Sequence, residues 1–233
     1  MAKNLILDLF FPKKCVGCGA VGAYFCQKCK KEIRIVPNQA CLVCGKVAFA
    51  GLTHPRCRKN YTIDGSVAVF VFAGPIRQAI HNIKYKRNFD LIDEIINLFL
   101  DNFWKMDVDF PKRAILVPVP LHTKRLNWRG FNQSELIAKR LSDKFGLVTD
   151  SKLLTRFKNT KPQVELKGKE RQKNVFNAFK VTDKTKAAGR EFLLIDDMQT
   201  TGATLKNCAF ALKRAGAKSV WGLTIARSGI KLS

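Results

Sequence analysis

Apolar positions recur along the chain in two rhythms. Ile76, Ile80 and Ile83 follow the three- and four-residue spacing of a helix. So do apolar positions between Phe89 and Trp104, and Leu136, Ile137, Ala138 and Leu141. Three short apolar runs, 114–119, 191–195 and 219–226, predict buried strands instead. Leu205, Cys208, Ala209 and Leu212 return to helical spacing until Gly216 stops the pattern, and Cys208 in that stripe is expected in the core. Strands alternating with helices predict an α/β protein whose parallel sheet is flanked by helices. The run Val67 to Ala73 ends at Gly74-Pro75, far short of the roughly 20 residues of a helical span. Leu5 to Phe11 contains Asp8, lacks a small-residue cleavage site and runs into Pro12-Lys13-Lys14-Cys15. It predicts a short amphipathic helix or strand capping the next module, not a signal peptide, so the chain reads as cytoplasmic and without a membrane span.

In that compartment cysteines bind metal more often than they form disulfides. Seven of the eight cysteines lie between 15 and 57, in a repeated pattern. Cys15-Val16-Gly17-Cys18-Gly19 is followed by Cys26-Gln27-Lys28-Cys29, and Cys41-Leu42-Val43-Cys44-Gly45 by His54-Pro55-Arg56-Cys57. A C-x₂-C turn aims two thiolates at one metal, and two such turns complete a tetrahedron with no open position. This predicts two structural zinc sites, Cys15/Cys18/Cys26/Cys29 and Cys41/Cys44/His54/Cys57. His54 is included because it stands where the first half has Cys26; pairs crossing between the halves are the alternative. A segment of about 45 residues is too small to fold on apolar burial alone, which suits a module that zinc folds. The expected organisation is a zinc module over 1–60 and an α/β domain over 61–233.

Charge narrows the partners. The 233 residues carry 42 Lys and Arg against 18 Asp and Glu, a net charge of +24, while 46% hydrophobic residues exclude a disordered basic tail. An excess of that size points to polyanions (nucleic acid, phosphate-rich ligands or an anionic membrane surface), with a solvated, solubilising surface as the alternative; no basic amphipathic helix long enough to lie on a membrane is apparent, which favours nucleic acid. Residues 151–190 hold 12 Lys or Arg and three acids, and Lys158 to Asn174 lacks an apolar period. That stretch reads as a mobile basic loop able to close over an anion, or as a plain solvated loop. Tyr24-Phe25 and Trp128 adjoin a zinc knuckle and an apolar segment, which makes packing their first reading and base stacking the alternative.

The strand 191–195 runs into Asp196-Asp197 and then Met198-Gln199-Thr200-Thr201-Gly202-Ala203-Thr204, where a helix begins. Free N–H groups at a helix start and nearby hydroxyls receive a phosphate, while carboxylates at a strand end accept from sugar hydroxyls beside a magnesium ion. A second strand, 114–119, leads into Leu121 to Arg129, which carries Lys124, Arg125 and Arg129.

Residues 192–204, FLLIDDMQTTGAT, resemble the phosphoribosyl pyrophosphate (PRPP) fingerprint of type I phosphoribosyltransferases. That resemblance implies that Asp196 and Asp197 hold the ribose hydroxyls, with Mg²⁺ bridging ribose and pyrophosphate. It also implies that Thr200, Thr201, Gly202, Ala203 and Thr204 cradle the 5′-phosphate, and that the 121–129 loop binds pyrophosphate through its backbone. Lys84, Lys86, Arg87, Lys124, Arg125, Arg129 and Arg171 are candidates to neutralise the pyrophosphate. Two positions depart from the pattern: Gln199 replaces a usually apolar residue, and Thr200 replaces the acid that hypoxanthine-type enzymes place beside the base. The second weighs against purine salvage. With the chain ending at Ser233, soon after its last strand, any hood over the site is expected from residues 61–110.

The cysteine module, VPVPLHTKRLNWRGFNQSELIAK, TKPQVELKGKERQKNVFNAF and the PRPP fingerprint together resemble the ComF family of competence-related, phosphoribosyltransferase-like proteins over nearly the whole chain. The resemblance implies a type I phosphoribosyltransferase-like fold and a role in natural transformation, in which single-stranded DNA is handled in the cytoplasm, with DNA-uptake proteins as further partners. Three functions stay open. The first is DNA handling with a PRPP-type site, acting by attack at ribose C1′ if it catalyses. The second is a non-catalytic nucleic-acid-binding adaptor with a vestigial site. The third is a nucleobase-salvage phosphoribosyltransferase.

Overall fold

The computed structural model describes residues 12–106, 108, 110–158 and 177–230. The N-terminal residues 1–11, the basic segment 159–176 and with it Arg171 lie outside the described residues.

Four parallel strands form the central sheet, in the order β1, β6, β5, β2. They are β1 (Gly65–Val71), β2 (Ile115–Pro118), β5 (Glu191–Gln199) and β6 (Ser219–Arg227). The period-two rule explains the two cores. Leu193, Ile195, Leu223 and Ile225 face one cluster with α2 (Gly74–Lys86), α3 (Asp90–Phe103) and α5 (Gln133–Phe145). Phe192, Leu194 and Val220 face the other, where Leu205, Cys208 and Leu212 of α6 (Ala203–Arg214) cover them. Both faces being covered is the normal condition of a parallel sheet. Phe70, Phe99 and Phe192 are wholly buried, each worth roughly 1.5–3 kcal/mol of apolar transfer. Cys208 is buried in the second core, as its stripe position predicts.

The helix ends follow ordinary capping. Pro75 occupies the first turn of α2, and Asp90 and Asp93 lie in the first turn of α3, where the helix dipole favours negative charge. Asn132 caps α5 by accepting from Ser134 N at 3.1 Å. A small antiparallel pair, β3 (Leu154–Arg156) and β4 (Phe179–Val181), lies beside α6.

Two sequence expectations change. The apolar run predicted to end at 195 continues as strand through Gln199, because the nine-residue β6 supplies pairing partners beyond it, Asp196 opposite Thr224 and Gln199 opposite Arg227. The segment Leu121 to Arg129, expected as a backbone loop, is mostly a helix, α4 (Thr123–Arg129). The His122 side chain accepts from Lys124 N at 3.2 Å at its start, and Gly130 closes it in the left-handed region at φ 82°.

The cysteine-rich segment leans on the sheet. A short helix in it, α1 (Gln27–Lys31), carries Cys29. Phe25 is buried in the first core. Residues 34–36 run antiparallel to β1, with Val36 N donating to Val69 O and Val71 N to Arg34 O, each at 2.8 Å. Gln39 adds two bonds to the Ala68 backbone.

Candidate functional site

Two groups of side chains converge in the cysteine-rich segment. The ligand atoms of Cys15, Cys18, Cys26 and Cys29 all lie within 4.8 Å of one another, as do those of Cys41, Cys44, His54 and Cys57. Pairing within each half, the reading made from the repeat, is therefore the one observed. Cys18 Sγ and Cys26 Sγ are 3.6 Å apart, close to the ~3.8 Å edge of a tetrahedron with ~2.3 Å zinc–sulfur bonds. Burial disfavours the Cys15 thiolate, yet N–H donors from Cys26, Cys18 and Gly17 outweigh it and bring its pKa down to about 6. In the second group His54 Nε2 donates to Val47 O at 2.9 Å, which leaves Nδ1, 3.3 Å from Cys44 Sγ, facing the thiolates. Such a backbone acceptor fixes the tautomer a metal-ligating histidine needs. The donor sets, four sulfurs and three sulfurs with one imidazole, fit tetrahedral zinc.

A third constellation sits at the end of β5. Lys84 Nζ, from α2, lies 2.5 Å from Asp197 Oδ2, a charge contact without the alignment of a directed hydrogen bond. Gln133 Nε2 donates to Asp197 Oδ1 at 2.9 Å, and Arg129 Nη1 donates to Gln133 Oε1 at 2.5 Å. Ser134 Oγ donates to Asp196 Oδ1 at 2.8 Å, and so does Asp197 N at 2.9 Å. The first turn of α5 thus holds both carboxylates. Ile80, Ile83, Ile95, Ile137 and Ile225 wall the Asp197 side, so its charge depends on Lys84 and Gln133. Burial and then the Asp197 charge push the Asp196 carboxyl up from 3.8 to about 7, against the pull of Lys84 and the Ser134 hydroxyl.

Thr200 to Thr204 follow directly. A small concavity is lined by Asp196, Gln199, Thr200, Gly202, Ala203 and Thr204. Thr201 Oγ1 is buried with no hydrogen-bond partner among the described residues. Gly202 is left-handed at φ 67° and caps α6. A Cβ there would come within 2.5 Å of Leu42 Cδ2, so the second zinc knuckle touches this loop. Gln199 is buried and accepts from Ser66 Oγ at 2.8 Å, which gives its departure from the family pattern a local cause.

Of the candidate cations, Lys84 and Arg129 are at the carboxylates. Arg129 is 7% exposed and packs its guanidinium 5.5 Å from the Tyr85 ring centre, while its Nε is buried without a hydrogen-bond partner among the described residues. Arg125 is half-buried beside it and Lys124 is exposed. Sequence reasoning passed over Arg156 of β3, whose pKa is lowered by burial and by Arg125 while Asp196 raises it. It also assigned no role to Gln133 and Ser134; the signal was the polar N-cap motif Asn132-Gln133-Ser134, which turns two polar side chains inward. Phe25 packs as expected, whereas Trp128 is 67% exposed.

Fold and site define a class: an N-terminal double zinc module joined to a parallel α/β sheet with paired carboxylates at a strand end. Residues 6–59 match the double zinc ribbon domain. The chain is 31% identical over 204 residues to the DNA utilization protein YhgH of Escherichia coli K12, covering 84% of this chain and 86% of the relative. It is 27% identical over 211 residues to the competence protein ComFC of Bacillus subtilis, covering 87% and 84%. To the competence protein F of Haemophilus influenzae it is 28% identical over 227 residues, covering 92% and 97%. The chain belongs to the ComF family. Among the described residues no helix is long and apolar enough to cross a membrane.

Proposed function

We propose that this protein binds a PRPP-type phosphoribosyl ligand with Mg²⁺ at the end of β5 and handles single-stranded DNA in the cytoplasm during DNA uptake, beside proteins of the uptake machinery. The observation that carries the ligand reading is the pair Asp196 and Asp197 at the end of a central parallel strand, followed by a Thr/Gly loop at a helix start. In this reading the carboxylates take ribose hydroxyls and sit beside Mg²⁺, with Asp196 Oδ1 already held by Ser134 Oγ and Asp197 N. Thr200, Thr201, Gly202, Ala203 and Thr204 receive the 5′-phosphate, where the buried Thr201 hydroxyl has hydrogen-bonding capacity left for a phosphate oxygen. Lys84, Arg125, Arg129 and Arg156, with Lys124 at the rim and Arg171 by its motif, neutralise pyrophosphate charge; the protein's contribution is positioning and electrostatics. Support for the DNA reading comes from the names of the relatives, DNA utilization and competence proteins, and from the +24 charge, more than one pyrophosphate needs. The expected organisation remains a zinc module over 1–60 serving a domain over 61–233.

Mg-PRPP should raise the melting temperature of the parent protein and not of an Asp196→Asn/Asp197→Asn variant; equal or absent shifts in both remove the ligand reading. Single-strand binding should weaken with salt, with a slope of about −0.7 per phosphate neutralised; a flat dependence removes the DNA reading. A second reading, an adaptor that senses the ligand without turnover, is favoured by Thr200, which offers no proton-transfer group, and by the closed Lys84–Asp197 pair. Release of pyrophosphate in the presence of an acceptor decides between the two, and release with adenine, guanine, hypoxanthine or uracil would instead establish salvage.

A further inference from the structure

Next to the carboxylates, the end of α2 and the length of α4 expose an aromatic surface that the ligand site does not use. Trp128 is 67% and Tyr85 51% exposed, large values for rings of this size when both lie on ordered helices. The two rings meet edge to face with centres 6.1 Å apart. Tyr85 is further supported by His81, with ring centres 4.6 Å apart, and by the buried guanidinium of Arg129. A ring braced on several sides yet open to solvent is a preformed platform, because little side-chain freedom remains to be lost on binding.

The two segments that carry the platform hold charge of one sign. Residues 81–89 and 121–131 contain Lys84, Lys86, Arg87, Lys124, Arg125 and Arg129, and no Asp or Glu. Arg87 ends α2 in the left-handed region at φ 53°, and its Nη2 would stand 3.5 Å from a Cβ at Gly130, so this guanidinium lies over the turn that closes α4. Trp104, by contrast, is comparably exposed at 64% but packs on Phe103 and Phe145 with Asp101 near it in the chain.

We propose that Tyr85 and Trp128 form a stacking platform for unpaired bases of single-stranded DNA, with Lys86, Arg87 and Lys124 meeting the phosphates, so that the strand is laid beside the Asp196/Asp197 site. Aromatic faces combined with cations suit single strands, since every unpaired base offers a π-face and a duplex hides it. The platform is joined to the carboxylates by a continuous chain: Trp128 touches Tyr85, Tyr85 covers Arg129, Arg129 donates to Gln133 and Gln133 donates to Asp197. The inference rests on the DNA reading above and adds the surface that carries it.

The test is binding of a labelled oligothymidylate longer than the ~4–16 nucleotides of an ordinary single-strand site, to the full-length zinc-loaded protein across a salt series. Trp128→Ala and Tyr85→Ala should each weaken binding about fivefold to about hundredfold, with the salt slope unchanged. Lys86→Ala/Arg87→Ala should flatten the slope. Trp128→Phe should recover most of the affinity, Trp104→Ala should leave it at the parent value, and duplex of the same length should be indifferent to Trp128→Ala. If the parent binds the strand and the two alanine variants stay within about twofold of it, or if the duplex loses as much, the platform is refuted while the DNA reading stands. If the parent does not bind, both fall together.

Discussion

Leu42, the residue after the first ligand of the second zinc knuckle, rests against Gly202, the cap of α6, so closely that a single methyl group at 202 would collide with it. Two segments far apart in sequence therefore share one packing contact at the loop proposed to receive phosphate. Gly202→Ala adds both a clash and a left-handed alanine, and should destabilise by about 1–3 kcal/mol. Leu42→Ala, which empties a buried position, should cost about 2–4 kcal/mol. Thermal unfolding with parallel metal analysis tests the contact: a lower melting temperature is expected with two zinc per chain retained, and unchanged melting temperatures would refute it.

Asp196 gives the folded protein a pH dependence. Its carboxyl is held at about 7 when folded against 3.8 as a free side chain, so the folded state grips the proton more tightly. Stability is then fullest below about pH 4 for this group, and its contribution is lost as pH rises toward and through 7. In magnesium-free buffer, Asp196→Asn should flatten the fall in melting temperature between mildly acidic and neutral pH. A variant that falls as steeply as the parent would place the titration elsewhere.

Removing Lys84 should leave the Asp197 charge enclosed by isoleucines, hydrogen-bonded to Gln133 but without its ion-pair partner. Lys84→Met is expected to cost about 2–3 kcal/mol, below the value for a fully buried pair because the lysine side chain keeps 21% exposure. Adding Asp197→Asn should restore much of that loss. Denaturant titration of the three variants measures the coupling, and additive effects would show that the pair does not interact.

The zinc sites differ in one ligand, which separates them experimentally. His54→Ala should lower the metal content from two zinc per chain to one, whereas His54→Cys, a competent ligand at the same place, should keep two. An unchanged zinc count in the alanine variant would remove His54 from the site.

What the sequence made legible was local. The knuckles could be read because each puts its two ligands within a single turn, and three of the four parallel strands because buried strands are continuous apolar runs. Asp196 and Asp197 were visible as a pair, but what holds them was not. Gln133 lies 64 residues away and Ser134 62, and Lys84 comes from yet another helix, α2. No periodicity links positions that meet only after the sheet assembles. The 121–129 segment was misread as loop because its helix has only seven residues, too short for an apolar period, and its ends are marked by a histidine cap and one glycine. Trp128 was expected to pack because tryptophan usually does; α4 instead turns it outward.

The strip 34–36 that pairs with β1 has a consequence for proteostasis. β1 is the outer strand of the sheet, and its unbonded backbone would be a template for another chain. The strip that covers it is strung between the two metal-binding knuckles, so its register depends on both. A cell short of zinc, or one whose thiols are oxidised, would carry this protein with an open strand edge of apolar residues, a template on which copies would aggregate.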